Sequence, residues 1–314
     1  MKIQQLRYLS EVARRDLSVS AAAEALHTSQ PGVSRQIKEL EDELGVEIFV
    51  RHGKRLTAVT EPGRAVLAIA ERILAEAANL KRAGAEFADE KHGTLTVATT
   101  HTQARYALPK AVATLKRRYP DVQLVIHQGN PTQICEMVLR GEADFAVATE
   151  QIAEYPELVS LPCYQWNRCV VVPPRHPLAR AQPLTLEAIA KYPIVTYDFA
   201  FANRSLVEKA FEQRGLAPKV VLTALDADVI KTYVELGMGV GIMASMAFDA
   251  RRDRGLKSLD AAHLFESSTT RLGIKRGAYL RRYAYEFIEL FAPHLPRRIV
   301  EPAVRGAQGS RYEL

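Results

Sequence analysis

The stretch "AAAEALHTSQPGVSRQIKELEDELG", residues 21–45, decides the fold of the first part of the chain. It predicts a helix that follows Ser29, a residue type that caps helix N-termini, and that stops before Gly45, which suits the position after a helix end. Pro31 is tolerated in the first turn of such a helix. Apolar residues recur along it at helical spacing and predict one buried stripe: Val33, Ile37, Leu40 and Leu44.

Two further helices precede this one. "SVSAAAEAL" predicts an alanine-rich helix that is capped by Ser18 or Ser20 and separated from the next helix by "HTS". Leu6, Leu9 and Val12 mark the apolar face of a helix before it. Two helices joined by a short turn form a helix-turn-helix, in which the second helix presents its N-terminal residues to DNA bases. A small helical bundle with a solvated outer face fits the same pattern.

Charge limits which surface could meet DNA. The formal net charge is +6, but residues 1–60 hold nine Lys/Arg against eight Asp/Glu, whereas residues 271–314 hold nine against four. Net charge alone therefore gives no evidence for DNA binding, which must be inferred from the sequence pattern. Four acidic residues fill the C-terminal half of the predicted helix: Glu39, Glu41, Asp42 and Glu43. Phosphate would repel them, so only the N-terminal half could approach DNA, with "RHGKRL", residues 51–56, as a basic wing.

Residues 5–63 closely resemble the N-terminal domain of LysR-type transcriptional regulators, above all in "AAAEALHTSQPGVSRQIKELEDELG". The resemblance implies an all-α winged helix-turn-helix over residues 1–59, with its central motif at about residues 19–38, bound to double-stranded DNA. The residues expected to contact DNA lie on the N-terminal half of the second helix and on the wing: Thr28, Ser29, Gln30, Pro31, Ser34, Arg35, Lys38, Arg51, Lys54 and Arg55.

Residues 60–91 predict a linker helix introduced by Pro62 and Gly63. Four apolar residues recur along it every seven positions: Val66, Ile73, Leu80 and Phe87. Such a heptad is typical of a helix that pairs with a copy of itself, although a helix lying on its own domain shows the same period. Resemblance to LysR-type regulators favours a homodimer or homotetramer on a palindromic operator, with RNA polymerase as a further partner.

From residue 92 onward, strands alternate with helices, as in "VQLVIHQG", "PTQICEMVLRG" and "DFAVATE". This alternation predicts an α/β fold with a parallel sheet covered by helices. We expect two α/β lobes of the periplasmic-binding-protein type. The first lobe comprises about 92–162 and 267–300, and the second about 163–266. A ligand would lie in the crevice between them, beyond the carboxyl ends of the strands.

Hydroxyl and amide side chains gather in "TVATTHTQARYALPK", residues 96–110. Thr99, Thr100, Thr102 and Gln103 lie where a strand passes into a helix, and free N–H groups at a helix N-terminus favour an anion. Thr149 ends another strand of the same lobe and should emerge beside them. Threonine is also a good strand former, so the same residues could serve the fold alone.

"TTHTQARYALP", "ADFAVATE", "YQWNRCVVVP" and "ALDADVIKTYVELGMGVGI" resemble the LysR-type subgroup that controls sulfur assimilation and cysteine biosynthesis, the CysB, Cbl and SsuR type. This resemblance implies a small effector: N-acetylserine, O-acetylserine, sulfate, thiosulfate or adenosine phosphosulfate. It assigns the effector to six residues: Thr100, Thr102, Gln103, Thr149, Trp166 and Ala202. Ala202 departs from the pattern, because relatives often carry a threonine there, and one hydroxyl contact is missing.

Other functions receive no support from motifs. The chain has no Gly-x-Ser-x-Gly, His-Glu-x-x-His or Walker sequence, and we expect neither catalysis nor a cofactor or metal. Cys135, Cys163 and Cys169 lack metal or disulfide spacing and are expected to be reduced, partly buried thiols. Without a secretory signal or an apolar run that spans a bilayer, a soluble cytoplasmic protein is expected. The alternatives are an anion receptor without DNA function and a LysR-type regulator of another pathway.

Overall fold

The structure, a computed structural model, describes residues 1–53, 55–89, 91–198 and 206–306. It divides into two compact units, Met1–Phe87 and Ala88–Leu314. Two predicted site residues, Lys54 on the wing and Ala202 in the second lobe, lie outside the described residues.

The first unit is a three-helix domain with a β-hairpin and a long helix. Its elements are α1 (Ile3–Arg14), α2 (Val19–Ala25), α3 (Gln30–Leu44), β1 (Phe49–His52), β2 (Arg55–Val59) and α4 (Glu61–Ala88). Antiparallel pairing of β1 with β2 forms the predicted wing. The apolar faces of α1 and α3 meet in one core, in which Leu9, Val33 and Leu40 are fully buried.

Local signals set the ends of the helices. Ser18 Oγ accepts from the Ala21 N–H at 3.2 Å, and Ser29 Oγ accepts from the Gly32 N–H at 3.3 Å, so both predicted caps form. Gly45 follows α3 with φ +69°, a left-handed conformation that glycine adopts without steric cost.

Two residues of α3 differ from the predicted pattern. Leu44 is 40% exposed rather than part of the buried stripe, because the helix ends there. Glu41 is buried rather than part of a solvated acidic face. Its Oε1 accepts from the backbone N–H of Ile48 at 3.0 Å and of Phe49 at 3.3 Å. Glu41 therefore ties the helix to the start of the wing.

The heptad of α4 splits into two halves. Val66 and Ile73 pack against the core of their own domain, around the fully buried Ala70. Leu80 and Phe87 are 76% and 86% exposed. Val66 and Ile73 therefore belong to a helix that lies on its own domain. Of the four heptad residues, only Leu80 and Phe87 present exposed apolar side chains.

The second unit contains two five-stranded sheets with helices on their faces. Its strands are β3 (Gly93–Thr99), β4 (Val122–Gln128), β5 (Phe145–Ala148), β6 (Leu158–Trp166), β7 (Arg168–Val172), β8 (Ile194–Tyr197), β9 (Val220–Ala224), β10 (Val240–Ala244), β11 (Lys257–Asp260) and β12 (Ser268–Lys275). Its helices are α5 (Pro109–Arg118), α6 (Pro131–Arg140), α7 (Leu186–Ile189), α8 (Leu206–Gln213), α9 (Ala227–Glu235), α10 (Arg282–Phe291) and α11 (Arg297–Val304).

Each sheet contains both parallel and antiparallel strand pairs, so the expectation of a parallel sheet was wrong for the antiparallel strands. The first has the order β4-β3-β5-β12-β6 and the second β11-β7-β10-β8-β9. In the first sheet β3 is parallel to β4 and β5, whereas β12 is antiparallel to β5 and β6. The antiparallel strands are those that carry the chain between the lobes.

The chain crosses between the lobes twice. The first sheet keeps β6 up to Trp166, so the crossover to β7 lies later than the predicted boundary at residue 163. The chain returns between β11 and β12. The three cysteines, Cys135, Cys163 and Cys169, are free and buried. Among the described residues, no helix has the length and apolar character needed to cross a membrane.

Candidate functional site

The predicted DNA-contacting residues that the structure describes are all at least partly accessible to solvent. Thr28, Ser29 and Gln30 at the start of α3 are exposed, as are Arg51 and Arg55 on the wing. The remaining members on α3 are exposed or partly exposed: Pro31, Ser34, Arg35 and Lys38. The buried stripe of α3 faces the opposite way, so the helix presents this surface without loss of its core.

Ion pairs hold the basic side chains of this surface. Arg35 Nε lies 2.8 Å from Glu39 and Lys38 Nζ lies 3.0 Å from Asp42, both four residues apart on α3. Arg51 Nη2 lies 2.9 Å from the buried Glu41 carboxylate. Arg35 remains 80% exposed and can exchange its carboxylate partner for DNA, whereas Arg51 also has a structural role in the wing.

The predicted effector threonines follow the ends of two adjacent parallel strands. In the register of β3 with β5, Thr99 lies opposite Val147, so Thr100 and Thr149 emerge on the same sheet edge. Thr99 itself is fully buried, and its hydroxyl donates to the Val147 carbonyl at 2.7 Å. Thr99 therefore serves the fold, while Thr100, Thr102 and Thr149 remain partly exposed.

Gln103 begins a π-helical turn, Gln103–Ala107, and is buried. Its Nε2 donates to Thr270 Oγ1 at 3.0 Å, and its Oε1 accepts a short hydrogen bond from the Tyr164 hydroxyl. Both amide atoms of this predicted effector residue thus have partners within the first lobe.

Thr102 acts on a tyrosine of the second lobe. Burial raises the pKa of Tyr197 on β8, and hydrogen bonds from the Ala244 N–H and from the Thr102 side chain oppose that rise. The Ala244 N–H lies 3.3 Å from the Tyr197 hydroxyl. The Thr102 side chain is therefore close enough to Tyr197 to lower its pKa.

Trp166 and Arg168 mark the first crossover. The Arg168 guanidinium carbon lies 5.2 Å from the centroid of the Trp166 ring. Trp166 Nε1 and Arg168 Nε are both buried and have no hydrogen-bond partner among the described residues. Trp166, predicted at the effector, thus carries a free donor at the boundary of the lobes.

A second set of contacts across the lobes converges on Asp228 of α9. Its carboxylate accepts from the Tyr106 hydroxyl at 2.7 Å and pairs with Arg105 Nε at 2.7 Å. His101 Nε2 lies 3.3 Å away, and Lys231 Nζ lies 3.1 Å away on the same helix. Burial alone would lower the pKa of Lys231, but its hydrogen bonds to Tyr106 and to two Asp253 oxygens, together with nearby Asp228, raise it.

His101, Asp226 and Asp228 could each offer one ligand atom to a metal ion, and these atoms lie within 4.8 Å of one another. Arg105 and Lys231 already pair with Asp228, however, and two cations beside the carboxylate disfavour a third. A polar cavity of about 500 Å³ opens beside these residues. The group fits an ion-pair network between lobes better than a metal site.

Sequence comparison places each of the two units in a known protein family. Residues 3–64 match the family described as "Bacterial regulatory helix-turn-helix protein, lysR family", and residues 88–296 match the "LysR substrate binding domain". The chain belongs to the LysR family. As a LysR-type transcriptional regulator, it binds DNA through its first unit and a small effector through its second.

Two relatives and one solved structure resemble this LysR-type regulator closely. It is 55% identical over 314 residues, 100% of both chains, to "HTH-type transcriptional regulator CysB" of Burkholderia cenocepacia. It is also 55% identical to SsuR of that organism over 307 residues, 98% of this chain and 100% of the relative. The cofactor-binding domain of the Cbl transcriptional regulator matches with a TM-score of 0.66 and 41% identity, over 69% of this chain and 95% of that domain. These relatives are regulators rather than enzymes.

Some residues at the site escaped the sequence prediction. Asp228 and Tyr106 are 122 residues apart, and no local motif marks either one. Arg168 stands beside the predicted Trp166 in "YQWNR", yet a single basic residue at a strand start gives no signal by itself.

Proposed function

We propose that this LysR-type regulator controls genes of sulfur assimilation, cysteine biosynthesis or sulfonate utilisation. The observation that carries the proposal is the full-length 55% identity with both CysB and SsuR. We further propose that it acts in the cytoplasm as a homodimer or homotetramer on a palindromic operator and contacts RNA polymerase there. A small effector, N-acetylserine, O-acetylserine, sulfate, thiosulfate or adenosine phosphosulfate, sets its activity.

The effector would bind where the lobes meet. Thr100, Thr102 and Thr149 are partly exposed at one sheet edge and can donate hydroxyl hydrogens to ligand oxygens. Because the Gln103 amide already has two partners, its contribution would come from its backbone N–H at the start of the π-helical turn. Binding would favour a closed arrangement of the lobes and so change the DNA affinity of the assembled regulator.

Selection from random DNA, followed by binding isotherms, tests the DNA-binding surface. Arg35→Ala should weaken binding to the selected operator, because a bidentate arginine–guanine contact is worth about 1–3 kcal/mol of discrimination. Arg14→Ala is the matched control, since Arg14 is an exposed arginine on α1. Equal operator affinity of Arg35→Ala and Arg14→Ala at fixed salt would remove Arg35 from the surface.

Calorimetry with the five effectors tests the second unit. Thr100→Val/Thr102→Val should lose at least about tenfold in affinity, because each lost buried partner costs about 1–3 kcal/mol. Thr94→Val, at the other end of β3, is the control and should bind like the wild type. If the wild type bound its operator but none of these five effectors, it would be a LysR-type regulator of another pathway.

A further inference from the structure

A partly buried cation lies at the first crossover between the lobes. Arg168 Nη1 donates to the Glu266 carbonyl and Nη2 to Ser268 Oγ, both at 3.1 Å. Its Nε is buried without a partner, and within the described ranges no carboxylate forms an ion pair with the guanidinium. Burial lowers the pKa of Arg168, which reflects the cost of a charge removed from water. Such a charge is normally paired.

A second unpaired donor lies beside it. Trp166 Nε1 is also buried, and the Arg168 guanidinium lies 5.2 Å from the centre of the Trp166 ring. Each buried donor without a partner costs about 1–3 kcal/mol. Two such donors side by side, one of them charged, suit an acceptor that carries negative charge.

Strand pairing and one hydrogen bond connect Arg168 to Tyr197. Arg168 on β7 lies opposite Ala244 on the neighbouring antiparallel strand β10, and the Ala244 N–H donates a hydrogen bond to the Tyr197 hydroxyl. The Thr102 side chain and the Arg168 charge both lower the pKa of Tyr197, so both act on the same hydroxyl. The negative charge of Glu150 also acts on Arg168 and opposes the lowering of its pKa. The Glu150 carboxylate, however, accepts a hydrogen bond from the backbone N–H of Thr269 and not from the guanidinium.

We propose that Arg168 supplies the positive charge that balances an anionic group of the effector, and that Trp166 Nε1 donates a neutral hydrogen bond to the same ligand. This inference rests on the proposed function of the cleft and deepens it, because it selects ligands with a full negative charge. A guanidinium is suited to the task, since its N–H groups match carboxylate and sulfate oxygens. If Arg168 were purely structural and only tied Glu266 and Ser268 to β7, the charge of a ligand would have no effect on its affinity.

Calorimetry on the full-length protein tests the charge requirement. N-acetylserine and N-acetylserinamide share one skeleton and differ in the carboxylate, and we expect the wild type to bind the carboxylate at least tenfold more tightly. Arg168→Met keeps an apolar stem against Trp166 but removes the charge, and should abolish this preference and weaken sulfate binding at least tenfold. Arg168→Lys should retain part of the preference, because it keeps the charge without the planar fork.

Two controls separate a ligand effect from a stability effect. Arg297 lies over the Tyr285 ring at 4.9 Å, so Arg297→Met removes a comparable guanidinium–aromatic contact elsewhere and should leave all affinities unchanged. Trp166 is the single tryptophan of the chain. Its emission should shift when sulfate or N-acetylserine is added to the wild type, and should not shift with the amide.

The outcomes distinguish this inference from the proposed function. Equal wild-type affinity for N-acetylserine and its amide would overturn the role of Arg168 without any variant. Sulfate binding by a folded Arg168→Met at wild-type strength would also overturn it, and the sulfur effector would still stand if Thr100→Val/Thr102→Val lost affinity. A wild type that bound its operator but none of the five effectors would overturn both.

Discussion

The carboxylate of Asp228 on α9 accepts a hydrogen bond of 2.7 Å from the Tyr106 hydroxyl, and so joins the second lobe to the turn that follows β3 in the first. Arg105 Nε, one residue away from Tyr106, lies 2.7 Å from the other carboxylate oxygen. A single side chain of the second lobe thus holds two neighbouring residues of the first. Because Thr102 lies only four residues before Tyr106, this contact anchors the segment that carries the predicted effector threonines.

Tyr106→Phe and Asp228→Asn should couple in a double-mutant cycle. Their shared hydrogen bond predicts a coupling energy within about 0.5–3 kcal/mol, because Tyr106→Phe removes the donor and Asp228→Asn replaces the charged acceptor by a weaker neutral one. Urea unfolding followed by Trp166 fluorescence measures it, since the only tryptophan lies in this unit. Tyr283→Phe, whose hydroxyl donates to the Thr94 carbonyl within the first lobe, should be additive with Asp228→Asn. Additive free energies for Tyr106→Phe and Asp228→Asn would show that the contact contributes no stability.

The stability supplied by Asp228 should depend on pH in one direction. Burial alone would raise the pKa of Asp228, but hydrogen bonds from Tyr106, Lys231 and His101 outweigh it and hold the pKa below its usual value. A carboxyl with a depressed folded-state pKa contributes stability that is present above its unfolded pKa and is lost as pH falls through the folded value. The free-energy difference between wild type and Asp228→Asn should therefore be constant near neutrality and shrink below about pH 4. Urea titrations from pH 7 to 3 check this, and a difference that grew on acidification would contradict it.

Glu41→Ala should destabilise the first unit and weaken operator binding together. The substitution leaves the Ile48 and Phe49 N–H groups without their acceptor and Arg51 without its carboxylate, at an expected cost of about 1.5–3 kcal/mol for hydrogen bonds to a charged group. Glu41→Gln keeps an acceptor oxygen, so its stability and operator affinity should lie between those of the wild type and of Glu41→Ala. Thermal unfolding by circular dichroism and operator isotherms measure the two effects. Asp42→Ala, an exposed neighbour, should change stability by no more than about 0.5 kcal/mol; an equal loss in both alanine variants would refute the anchoring role.

Leu80→Asp/Phe87→Asp should lower the oligomeric state without unfolding the first unit. Both side chains are exposed in the single chain, so only contact with a second copy would bury the new carboxylates, at a large desolvation cost. Ile73→Asp should instead lower the melting temperature, because Ile73 packs on its own domain. Light scattering over a dilution series and thermal unfolding separate the effects. A wild-type mass for the double variant at every dilution would place the main contact elsewhere.

The sequence by itself determined the features that depend on near neighbours along the chain. The cap at Ser29, the left-handed Gly45 and the buried Val33, Ile37 and Leu40 all follow from side chains within one or two helical turns, whereas the choice of Ser18 over Ser20 came from the structure. The exposed face of α3, which is predicted to contact DNA, is the complement of that buried stripe. The position of the threonines at strand ends was predicted in the same way.

Only the tertiary structure decided which distant side chains meet. The order and direction of strands, and with them the antiparallel β12, depend on the path of the whole chain. The heptad of α4 could not distinguish Ile73, packed on its own domain, from Leu80, because both satisfy the same period. Burial of Glu41 came from the position of the wing, and the unpaired donor of Arg168 from what surrounds the crossover. These contacts join residues far apart in sequence, and local periodicity carries no information about such pairs.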